Sequence, residues 1–92
     1  MARSAPKALV EDVRAALLFI SPYDPDPLKE SHSLRWDLGM AEYQRKAQQV
    51  PFNPIAQRYK ADAYIVGACA DLTTIAAATS LVAQAAGFGD ED

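Results

Sequence analysis

Apolar residues recur at helical spacing from the start of the chain. Leu9, Val13, Ala16, Leu17 and Ile20 fall at i, i+4, i+7, i+8 and i+11, which is one face of a helix. Glu11, Asp12 and Arg14 lie largely off that face. Ser4 can cap the start, Pro6 is tolerated in a first turn, and Ser21-Pro22 stops the run. The pattern predicts a helix over 4–20. A second stripe follows. Trp36, Met40, Tyr43, Ala47 and Val50 stand at i, i+4, i+7, i+11 and i+14, with Arg35, Asp37, Glu42, Arg45 and Lys46 on the other sides. It predicts a helix over about 28–49, with Trp36 and Met40 buried. Gly39 then sits inside that helix, at about 1 kcal/mol against alanine, and such a glycine marks close approach of another backbone.

Two proline-rich breaks frame the second helix. Asp24-Pro25, Asp26-Pro27 and Asn53-Pro54 each pair a capping residue with a proline suited to a first helical position. From Pro54 the chain reads as one long, Ala-rich helix over 54–86, closed by Gly87. Ile55 and Tyr59 oppose Gln57, Arg58 and Lys60 at its start, and from Ala63 onward it is apolar nearly all round. Such a helix, about 45 Å long at 1.5 Å per residue, needs more cover than two short helices supply. The expected architecture is therefore all-α: three helices over 4–20, 28–49 and 54–86, forming a small bundle or helical hairpin within an oligomer. A single domain spans 1–88, followed by an acidic tail over 89–92.

Composition narrows the function. The chain has 92 residues and a net charge of −3, from 9 basic and 12 acidic side chains. A general nucleic-acid binder carries a strong positive excess, so duplex DNA is not an expected partner. Residues 63–88 hold a single charge, Asp71, and are long enough to span a bilayer. An aspartate at the middle of a membrane helix costs about 3 kcal/mol, and the threonines add polarity, so a buried soluble helix is expected instead. The N-terminal stretch does not read as a secretory signal, because Glu11 and Asp12 precede a short apolar run. The expected compartment is the cytoplasm, in a protein of bacterial or phage type.

No catalytic, metal or cofactor constellation emerges. Cys69 is the one cysteine and His32 the one histidine, in different segments, and Ala68-Cys69-Ala70 reads as buried core. Asp24, Asp26 and Glu30 fit capping better than a calcium loop. Asp71, a lone carboxylate in an apolar helix, must be paired, neutral or at a surface. Arg45, Lys46, Arg58 and Lys60 flank the second break with Tyr43 and Tyr59 among them. Cations interleaved with aromatics could stack a base and hold phosphates, and a nucleotide or RNA end would bind there; a solvated face beside a tyrosine-lined core has the same look. Trp36, Gly39, Met40, Gly67 and Asp71 are the candidate core or interface residues.

The two breaks also form an internal repeat. Pro22-Tyr23-Asp24-Pro25 matches Pro51-Phe52-Asn53-Pro54, and Trp36 with Gly39 matches Tyr64 with Gly67. Capping and packing alone would produce the same look, so both explanations stand. The first unit, with Pro22-Tyr23, Arg35-Trp36, Gly39 and Glu42, resembles the ribosome modulation factor family over about residues 22–43. Members carry a proline-tyrosine, an arginine, a tryptophan and a glycine-containing helix. They are strongly basic where this chain is acidic, and their proline-tyrosine to tryptophan spacing is shorter. The resemblance implies contact with ribosomal RNA. The leading expectation is a non-enzymatic interaction protein (adaptor, inhibitor or structural subunit) that associates with a protein partner or with itself. An RNA- or nucleotide-binding modulator is the alternative, and a membrane or filament subunit built on 54–86 the second.

Overall fold

The first apolar stripe folds as its spacing dictates. Helix α1 runs Lys7–Ile20 and fully buries Leu9, Val13 and Leu17, with Ala16 and Ile20 half-buried. Pro6 stands at its cap position in extended backbone, and its carbonyl accepts from the amides of Leu9 and Val10 at 3.0 and 3.2 Å. Ser21 turns extended and ends the helix, as a residue before proline prefers. The structure, a computed structural model, describes residues 6–65 and 69–88, save the side chain of Ala70. The expected cap Ser4, the acidic tail over 89–92 and Gly67, with its half of the repeat, lie outside the described residues.

The second stripe does not become one helix. Residues 21–41 form an irregular segment, and helix α2 covers only Glu42–Ala47. The Asp-Pro pairs cap nothing. Instead, the chain winds through a single turn from Ser33, whose carbonyl accepts from the amides of Asp37 and Leu38 at 3.0 and 3.1 Å. Side chains hold that turn: the Ser33 amide donates to Asp37 Oδ2 at 2.6 Å, and the Trp36 amide to Ser33 Oγ at 3.0 Å. Short polar side chains compete with the helix ladder in this way. Gly39 closes the turn with φ +72, and a Cβ there would meet the Tyr23 ring at 2.7 Å. The close approach at Gly39 is made by side chains and not by the backbone expected, and the glycine ends a turn rather than crossing a helix. Leu34, Leu38 and Met40 face inward and are fully buried, while Trp36 is 73% exposed. Burial of Met40 matches expectation. Burial of Trp36 does not, because a turn replaces the helical period that would have carried it inside.

Helix α3, Gln49–Gln57, follows α2 after Gln48. The second proline break is therefore helical. Pro51 sits in the first turn, where its missing N–H leaves no bond unmade, and Pro54 lies deeper inside. Asn53 is not a cap. Its side chain donates to the Gln49 carbonyl at 3.0 Å and accepts the Ile65 amide at 2.6 Å. Gln57 donates to the Ala63 carbonyl at 3.0 Å. These bonds fold residues 58–65 back along α3, so the long helix expected over 54–86 is not formed. A rod of about 45 Å would overrun a molecule measuring 33 × 24 × 20 Å. Doubling back lets the apolar half bury Ala63, Ile65 and Cys69 against the chain's own core.

After a 3-10 turn at Cys69–Asp71 comes helix α4, Ile75–Ala85. Thr74 caps it, accepting the Ala77 amide on Oγ1 at 3.1 Å. The irregular segment completes the cap: the amides of Ile75 and Ala76 donate to the carbonyls of His32 and Glu30 at 3.1 and 2.9 Å. Leu34 donates to the Thr73 carbonyl at 2.9 Å, and Ser33 and Thr74 form an isolated antiparallel bridge. Gly87, at φ +90, ends α4 as expected, with the Phe88 amide reaching back to the Ala83 carbonyl at 2.8 Å. Helices α1, α3 and α4 pack on one another around Phe52, Ile55, Ile75, Ala78 and Val82, and α2 rests on the 3-10 turn. The described residues contain no β-strand beyond that bridge. None of their helices is long and apolar enough to cross a membrane.

Candidate functional site

The cation–tyrosine cluster expected around the second break is taken apart by the fold. Arg58 pairs with Asp12 of α1 at 2.7 Å. Tyr59 is half-buried and meets the Phe88 ring edge-on at 5.4 Å. Lys60 is exposed beyond the end of α3. Tyr43 and Lys46 line a shallow hollow on α2 with Ala41 and Glu42. Arg45 turns to a different hollow, with Nη1 on the Met40 carbonyl at 2.9 Å.

That second hollow, about 380 Å³, gathers residues the sequence set apart: Ser33, Arg35, Trp36, Arg45, Asp71, Leu72, Thr73 and Thr74. Arg35 lies over the Trp36 ring at 4.6 Å from its centroid, a cation–π contact. Asp71 is exposed at the end of the 3-10 turn, so the carboxylate meets water rather than an apolar helix. Cys69 is buried as expected, and desolvation raises its thiol above the ordinary cysteine value. A thiol held neutral in this way is inert. No group of three or more potential metal ligands occurs among the described residues.

An apolar depression lies elsewhere. Ala15, Ala16, Phe19 and Ile20 of α1 form one wall, and Ala47, Gln48, Val50 and Pro51 of the α2–α3 joint form the other, around about 530 Å³. Phe19 is 88% exposed and Val50 76%, both large for surface positions. Gln48 is the lone polar member and is 1% exposed. Neither its Nε2 nor its Oε1 has a hydrogen-bond partner. The Gln44 amide reaches the Ile20 carbonyl at 3.4 Å and ties α2 to the end of α1, which sets the spacing of the two walls.

The sequence carried one signal for this groove. Phe19 stands two positions beyond Leu17, about 200° around a helix from the buried stripe at 3.6 residues per turn. A phenylalanine there is outward-facing by period alone. Val50 gave no such warning, because it closes the second stripe and was expected inside. Gln48 gave none at all. Comparison with known protein families, curated proteins and solved structures gives no match.

Proposed function

We propose that this chain is a small non-enzymatic interaction protein that docks a protein partner in the groove between α1 and the α2–α3 joint. The observation that carries this reading is Phe19, 88% exposed on the rim of an apolar groove of about 530 Å³. An aromatic side chain buries roughly 150–250 Å² on docking and dominates interface energetics. At about 25 cal/mol per Å² this is a large gain, and no cost in lost internal contacts opposes it. Proximity labelling in the native host, with the wild type and Phe19→Ser side by side, tests the reading. Proteins enriched by the wild type and lost from the variant are the expected result. Identical enrichment by both would overturn it. Light scattering identifies the occupant: a mass above 10.0 kDa that falls to the monomer in Phe19→Ser would make it a second copy.

A second reading rests on Arg35 above the exposed Trp36, beside Arg45. An aromatic face backed by cations is a platform for a single-stranded RNA base or a nucleotide. Under this reading, titration of poly-U at low salt quenches tryptophan emission, and Trp36→Ala removes binding while helicity is unchanged. Emission that does not respond to poly-U would sink it.

A further inference from the structure

Among the described residues, Gln48 is the polar side chain whose burial is least accounted for. It is 1% exposed, and both heteroatoms of its amide lack partners. A buried donor or acceptor without a partner carries its full desolvation penalty, and each such group in a native fold calls for an explanation. The place of Gln48 supplies one. It sits at the joint between α2 and α3, in the wall of the groove whose other members are apolar.

We infer that Gln48 is a recognition residue for an extended apolar peptide, whose main-chain N–H and C=O pair with its side-chain amide. This rests on the groove being the docking site. The chemistry follows from what an amide can pair with. Gln48 offers a carbonyl that accepts and an NH₂ that donates. A peptide group is the complement of both, and it comes attached to side chains that fill the space beside Phe19 and Val50. A helical partner, a second copy of α1 or α3 included, brings main-chain groups already paired along its own ladder. An extended segment brings them free, as in strand-like peptide recognition.

In the free protein the amide lies beneath the groove surface, closed to solvent. Swinging it into the groove breaks no hydrogen bond, because it makes none where it lies. Alanines 15, 16 and 47 line the same groove. The peptide group then supplies the partners that both amide atoms lack where they lie.

A thermodynamic signature separates this role from a structural one. Gln48→Met keeps the length of the side chain and removes both unpaired atoms. It should raise the melting midpoint of the free protein and weaken peptide binding together. The probe is N-acetyl-L-leucine N-methylamide, titrated into ¹⁵N-labelled full chain and followed by NMR. Expected are saturable shifts of the Gln48 side-chain NH₂ and of the Ala15 and Phe19 amides, with affinity about tenfold lower in Gln48→Met. The methyl ester, which lacks one N–H, should also bind more weakly than the amide. Shifts at Ala15 and Phe19 without any at Gln48, or equal binding by Gln48→Met and wild type, would overturn the pairing while leaving the groove as a docking site. A lowered midpoint in Gln48→Met would overturn it too, by revealing a partner within the fold. Groove signals that move with protein concentration alone would give the site to a second copy. No response to the probe up to its solubility also overturns the inference; failure of groove docking itself is read separately, from Phe19→Ser in the labelling experiment.

Discussion

Helix α1 and the irregular segment that follows it each put three fully buried side chains into the same core: Leu9, Val13 and Leu17 from the one, Leu34, Leu38 and Met40 from the other. They do so by different means. In α1 a repeating ladder of main-chain bonds sets the register, and no side-chain bond is needed. In the segment 21–41 the register hangs on a few groups: Ser33 and Asp37 binding the backbone of one turn, and Gly39 at positive φ. The ladder is redundant and the turn is not. Apolar truncation should therefore hurt both regions alike, whereas polar and glycine substitutions should hurt only the second.

The largest effect is expected where both regions agree. Leu17→Ala removes a fully buried side chain and should destabilise by about 2–5 kcal/mol, read from the denaturation midpoint, with Leu38→Ala in the same range. A much smaller loss for Leu38 would mean the segment is loosely packed. Gly39→Ala comes next. Its left-handed backbone and the Tyr23 ring 2.7 Å from the new Cβ should together cost about 1–3 kcal/mol. Tyr23 is exposed and can move aside, which sets the lower end. Asp37→Ala should cost about 1 kcal/mol through loss of the bond from the Ser33 amide. Glu11→Ala, on the solvent side of α1, should change the midpoint by less than about 0.5 kcal/mol. Trp36→Ala should do as little to stability, although it deletes the largest side chain in the chain, and the emission of native Trp36 should be that of indole in water. A blue-shifted spectrum would contradict the exposed turn.

The same contrast explains what could be read in advance. A first helix expected over 4–20 and found over Lys7–Ile20, its stop at Ser21-Pro22, the burial of Cys69 and the closure at Gly87 follow from local rules. The stripe from Trp36 to Val50 obeyed the helical period equally well. It failed because Ser33 and Asp37 bind backbone nearby, and because Leu34, Leu38 and Phe52 offered the core a better set than Trp36, Tyr43 and Val50. Residues 58–65 contain no proline or glycine that would announce the reversal there. That reversal depends on Asn53 and Gln57 reaching residues 12 and 6 positions ahead, which no local period encodes. The groove was hidden for a related reason. Its walls come from α1 and from a joint between two helices that the sequence presented as a proline break.

The cap of α4 has a consequence in time rather than in space. Ile75 and Ala76 donate to His32 and Glu30, and Leu34 donates to Thr73, so segments some forty residues apart share each other's end groups. Neither can open alone without stranding the other's amides. The irregular segment and the C-terminal helix thus form one cooperative opening unit, despite one of them having the outward character of a loop. In deuterated water the amide protons of Leu34, Ile75 and Ala76 should exchange at a common rate under conditions where opening is reversible. A protease that nicks the chain near Lys29 should loosen α4 before it loosens α1.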